Sequence, residues 1–170
     1  MTTDLAKHIF RFIILIFAQV LIVQNINLST YIILLPYTLL IILLPFETPK
    51  LLLLLISFLL GCTIDFFHDS SGLHASACSV MAFSRYYLLK YMSPREGYDA
   101  ALKPTADDMG LQWFITYAGS LILIHHFFFF YLEVFRFTEF FRTLLRVILS
   151  SLGTFVLIYL IQFLFYTKRK

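Results

Sequence analysis

Leu51-Leu52-Leu53-Leu54-Leu55-Ile56-Ser57-Phe58-Leu59-Leu60-Gly61-Cys62-Thr63-Ile64-Asp65-Phe66-Phe67 is a seventeen-residue run whose only charged side chain is Asp65, two places from its end. At a rise of about 1.5 Å per residue it reaches most of the way across a hydrocarbon core of about 30 Å. The rest of the chain repeats the pattern. Of 170 residues, 60% are hydrophobic, 18% aromatic and 14% charged, and the mean hydropathy is +0.85. Soluble domains are about 45–50% apolar and about 25% charged, so a chain of this size cannot hide such a surface from water. These values exclude a soluble enzyme, a disulfide scaffold and an appended globular domain. The expected class is an all-α polytopic membrane protein in one domain.

Six apolar runs are candidate spans: 9–23, 28–44, 51–67, 73–91, 111–132 and 144–166. The first has Gln19, Gln24 and Asn25 where a cleavable leader would carry small residues, so it is expected to stay as a helix. The second carries Pro36, which predicts a kink. Pro45, Glu47, Pro49 and Lys50 mark a short turn, and Asp69-Ser70-Ser71-Gly72 another. Met92 to Gly110 is the one sizeable polar loop. Glu133 to Arg142 alternates charge with aromatics, which suits an interfacial helix or the wet ends of two long ones. With six spans and an inside N-terminus, ten Lys and Arg residues fall inside (Lys7, Arg11, Lys50, Arg85, Lys90, Arg95, Lys103, Lys168, Arg169, Lys170). Three fall outside (Arg136, Arg142, Arg146), which predicts cytoplasmic termini and an outward turn at 65–72. The net charge of +3 is too small and dispersed for nucleic acid.

The densest polar cluster is Asp65 to His74. Asp65, His68, Asp69 and His74 are conceivable metal ligands, but neither HExxH nor paired cysteines accompany them. The better reading is structural. Asp65 and Asp69 cap helix ends or hold the turn, Gly72 takes a conformation that a Cβ disfavours, and His74 donates into the same network. Adjacent helical positions point about 100° apart, so His125 and His126 cannot share an ion and are expected at an interface or pore edge. Phe127 to Phe130 read as lipid-facing or packing bulk. Cys62 and Cys78 read as small buried hydrophobes, and Ser57, Ser79 and Ser120 as small packing residues. No GxSxG elbow or phosphate-binding glycine signature is present, so no catalytic residue, cofactor or metal is expected. No duplicated halves suggest a self-sufficient transporter.

Three stretches resemble the MreD family of rod-shape-determining integral membrane proteins. They are Leu44 to Lys50, then Leu59 to Phe67 with Gly72-Leu73-His74-Ala75, then Arg95 to Asp99 with Lys103-Pro104 and Gly110 to Phe114. The second is the most specific: a glycine (Gly61), an aspartate one turn later (Asp65), a short turn, then Gly-aliphatic-His-Ala. The resemblance implies a non-enzymatic scaffold of the bacterial inner membrane. It would bind MreC and, directly or through MreC, RodA and a class B penicillin-binding protein, with MreB reached indirectly. The 92–110 loop mixes both signs, so Arg95, Glu96, Tyr98, Lys103 and the adjoining Trp113 are either a partner-contact loop or part of a solvated connector. The family's fold is similar to the S components of energy-coupling factor transporters, which supplies a rival reading as a vitamin-binding subunit. Those proteins commonly carry Ala-x-x-x-Ala in the first span, whereas this chain has only Ala6 and Ala18 there.

Overall fold

The computed structural model describes residues 13–22, 30–99, 101–135 and 139–165. All regular structure among them is helical. Residues 13–17 are α-helical and Ala18–Ile22 continue as a π-helix, together α1; then come α2 (Thr38–Ile42), α3 (Lys50–His68), α4 (Leu73–Met92), α5 (Ala106–Met109), α6 (Leu111–Val134) and α7 (Phe140–Phe165). Three helices, Lys50–His68, Leu111–Val134 and the Phe140–Leu164 portion of α7, are long and apolar enough to cross a membrane. Helix α4 matches α3 in length but carries His74, Arg85 and Lys90. Helix α3 packs on α4, α4 on α6 and α6 on α7, while α2 touches α4 and α6 and the π-helical part of α1 touches α3.

The long helices define two ends. At the turn end lie the α3–α4 connection (69–72) and the α6–α7 connection, where Tyr131 donates to the Phe140 carbonyl and Glu133 pairs with Arg146 at 3.3 Å. The described parts of the 133–142 stretch (133–135 and 139–142) belong to the ends of two long helices, with α7 starting at Phe140 rather than near 144. At the loop end lie the proline turn 45–49 and the 93–110 loop. Phe46 stacks on Tyr98 at 4.2 Å, and the Ala106 N–H donates to Gln162 of α7.

The second apolar run departs from expectation. Residues 30–37 contain no helix, and only five residues of the run, Thr38–Ile42, are helical. Pro36 has no N–H and disfavours helical geometry at Leu35. Yet Leu35, Tyr37 and the α2 residues are buried, so their backbone polar groups need partners inside the protein. Side chains of α7 and α1 supply them. Ser150 Oγ accepts from the Ile33 N–H (3.0 Å) and donates to the Tyr31 carbonyl (3.2 Å). Thr154 Oγ1 accepts from the Leu35 N–H (3.1 Å), and Gln19 donates to the Leu34 carbonyl. Gly153 makes room: a Cβ there would lie 2.9 Å from Leu34 Cδ2. The expected second helix is thus an unwound strap laid against α7.

Candidate functional site

The most specific sequence motif folds into one unit at the turn end. A Cβ on Gly61 would stand 2.3 Å from the Ala75 Cα and 2.6 Å from both the Ala75 nitrogen and the His74 carbonyl oxygen. Only glycine lets α3 meet the α4 backbone this closely. One turn later Asp65, 6% exposed, points its carboxylate at the opening of α4. Its Oδ1 accepts from the His74 N–H (3.0 Å) and Ser70 hydroxyl (2.5 Å), and its Oδ2 accepts from the Ala75 N–H (2.8 Å). The first N–H groups of a helix have no internal partner and carry the positive end of its dipole, so a carboxylate there satisfies both. Helix α4 is therefore capped by a side chain of α3; Gly72, at its own N-cap position with φ +85°, offers no side chain. Asp69 is exposed and takes the left-handed conformation that ends α3.

His74 joins this network through its backbone only. Its ring turns inward to a second cluster, where the Tyr37 hydroxyl lies 2.6 Å from His74 Nδ1 and 3.1 Å from His125 Nε2. A phenol has one proton to give, so one imidazole accepts it while the other donates back. Tyr37 thereby pins the strap between α4 and α6. His126 Nδ1–H donates to the Ile122 carbonyl, which leaves Nε2 of the neutral ring to accept from Thr154, the hydroxyl that also receives the Leu35 N–H. The expectation that His125 and His126 sit at an interface or pore edge is thus corrected: both are fully buried. They point to different partners, as their 100° separation requires, but the interior holds polar groups on both sides. His125 Nδ1 is buried with no hydrogen-bond partner among the described residues. Phe129 and Phe130 are buried and Phe127 and Phe128 exposed, so the phenylalanine run is divided between the packed interior and the outer face. Cys78 is buried among the same groups, 3.8 Å from His125 Nε2, and Cys62 is half-buried; both are free thiols.

Near the loop end, Arg85 is 1% exposed. It donates to the Tyr117 hydroxyl (2.7 Å) and the Leu44 and Pro45 carbonyls, and Tyr117 donates to the Ile42 carbonyl (3.0 Å). Among the described residues no carboxylate reaches it. A buried guanidinium thus collects the carbonyls where α2 ends, fixing the proline turn. Sequence reading counted Arg85 only as an inside charge; its place in the middle of an apolar helix was the available signal.

Pro45, Glu47 and Pro49 lie exposed on that turn, where the Thr48 N–H and hydroxyl close on the Pro45 carbonyl and Pro49 opens α3. The expected contact loop divides. Arg95, Glu96 and Lys103 are exposed, whereas Tyr98 and Trp113 pack inward on Phe46, with Trp113 also stacked on Tyr117 at 4.6 Å. Burial pushes the Tyr98 phenol pKa up. Those two aromatics fasten the loop to the bundle, and only the charged residues face outward. Among the described residues, no three His, Cys, Asp or Glu side chains converge to hold a metal ion. Comparison with known protein families, curated proteins and solved structures gives no match.

Proposed function

We propose that this chain is a non-enzymatic scaffold of the bacterial inner membrane, and specifically an MreD-type subunit. It would span the bilayer six times with α1 and the strap as the first two crossings. It would bind MreC and, through it or directly, RodA and a class B penicillin-binding protein, with MreB coupled indirectly. The observation that carries this reading is the turn-end unit. Gly61, Asp65, Gly72 and His74, the residues on which the family resemblance rests most specifically, act together as one helix-capping device. A motif spent on architecture suits a protein whose product is a shaped surface. The orientation follows from the positive charge at the loop end, which would face the cytoplasm with both termini, leaving the 69–72 turn outside.

A second reading has its own support. Unwound backbone deep in a helical bundle is a feature of substrate sites in transporters, and the strap lies beside an unpartnered imidazole nitrogen. The rival is an S component of an energy-coupling factor transporter. Purification of the tagged chain in gentle detergent, with mass spectrometry of what accompanies it, separates the two. Recovery of MreC with RodA or its synthase partner supports the scaffold. Recovery of a coupling membrane protein with paired ATPases, and no MreC, overturns it.

A further inference from the structure

Lys50 opens α3 at the loop end, and its ammonium stands over three aromatic faces of α4: Phe83 at 4.9 Å, Tyr86 at 4.9 Å and Tyr87 at 5.1 Å. Among the described residues its side chain makes one hydrogen bond, to the Tyr87 hydroxyl at 3.4 Å. No carboxylate among the described residues pairs with it, and Glu47, three residues earlier, stays beyond ion-pair range. All three rings are 40–49% exposed, so this wall faces away from the bundle interior. One turn beyond Tyr86 on the same helical face is Lys90, exposed and without an ion pair among the described residues. Two ammonium groups and two phenols therefore share an aromatic surface at the end of two adjoining helices, the depth at which lipid headgroups lie when the bundle spans a bilayer.

We infer that Lys50, Tyr86, Tyr87 and Lys90 form a binding site for the phosphodiester of an anionic phospholipid, whose acyl chains lie along the exposed face of α3 and α4. The lysines and phenols supply donors to phosphate oxygens, and the rings supply the apolar floor beneath them. The site selects against zwitterionic lipids. An aromatic cage can hold a choline-like ammonium, but here Lys50 already fills it, and Lys90 repels a second cation. The inference rests on the chain lying in a membrane and not on the identity of its protein partners.

The test is native mass spectrometry of the full chain titrated with phosphatidylglycerol, phosphatidylcholine or inorganic phosphate. The wild type is expected to bind phosphatidylglycerol on the order of tenfold more tightly than phosphatidylcholine and to ignore inorganic phosphate. The Lys50→Gln/Lys90→Gln variant should lose that preference and bind both lipids alike. Lys90→Gln alone alters only an exposed side chain and should lose part of it, and Lys50→Arg should keep most of it. Equal binding of both lipids by the wild type, or an undiminished preference in the double variant, overturns the site. Tight binding of inorganic phosphate overturns the lipid as its ligand. Retention of the chain in carbonate-washed membranes separates failure of the site from failure of the membrane reading.

Discussion

Gly61→Ala asks the most of the α3–α4 contact. The added methyl would begin 2.3 Å from the Ala75 Cα, against about 3.4 Å for an ordinary close contact, so the helices must part by about 1.1 Å. All three atoms it meets are backbone, and no rotamer change relieves them. Parting the helices by that distance stretches the Asp65–Ala75 bond from 2.8 Å to beyond hydrogen-bonding range and weakens the bond to the His74 N–H. Overpacking costs about 1–3 kcal/mol, and each charge-assisted bond lost costs about 1.5–3 kcal/mol. A total destabilisation of about 3–6 kcal/mol follows. The assay is equilibrium unfolding of reconstituted protein, with Gly119→Ala as the control. That glycine is also helical, but nothing lies within 4 Å of its would-be Cβ, so alanine there should be neutral or stabilising by about 0.5–1 kcal/mol. Ala75→Gly should not rescue Gly61→Ala, because the clash is with the backbone. Equal stability of the two glycine variants would refute the close-contact reasoning.

Thr154→Val removes the acceptor for the Leu35 N–H and the partner of His126 Nε2, so reconstituted protein should lose about 2–4 kcal/mol in the same unfolding assay. Thr154→Ser keeps the hydroxyl and should stay within about 1 kcal/mol of wild type; a Val variant equal to the Ser variant counts against the strap's attachment. Arg85→Lys cannot reproduce a planar fork spanning Tyr117 and two carbonyls and should cost about 1.5–3 kcal/mol. Protease sensitivity at the 45–49 turn should rise with it, and wild-type resistance there would contradict the anchoring role. In a background with Cys62 and Cys78 replaced by alanine, Ser71→Cys in intact cells should react with an impermeant maleimide from outside. Labelling only after the inner face is opened would invert the proposed orientation.

Local chemistry made the turn-end unit legible. A glycine, an aspartate one turn on, and a Ser-Ser-Gly turn are short-range signals, and they point to Asp65 as a helix cap or turn anchor and to Gly72 in a conformation that a Cβ disfavours. The strap was not legible in the same way. Pro36 announced a disturbance, but whether the chain kinks or unwinds depends on hydroxyls of Ser150 and Thr154, separated from their partners by 117 and 119 residues. Nothing local in the apolar 144–166 run marks Ser150 or Thr154 as a partner of that segment. His125 and His126 show a related limit, because inward and lipid-facing sides of a membrane helix are both apolar and hydropathy does not rank them. Loop aromatics mislead in the opposite sense: Tyr98 and Trp113 sit in or beside the most polar segment, yet Phe46 gives them a surface to cover.

The strap also dictates an order of assembly. A membrane helix closes its own hydrogen bonds and can enter the bilayer by itself, whereas an unwound segment cannot. Tyr31, Ile33 and Leu35 draw their partners from α7, which leaves the ribosome after α3, α4 and α6. Until it arrives, these backbone groups must remain in water, at the headgroups or in temporary pairings. Helices α3, α4 and α6 can meanwhile associate, leaving a gap that the early segment enters only when α7 closes over it. Chain truncated ahead of α7 would consequently fail at the strap as well as at the cut, and quality-control proteases would meet an unsealed segment at 31–35.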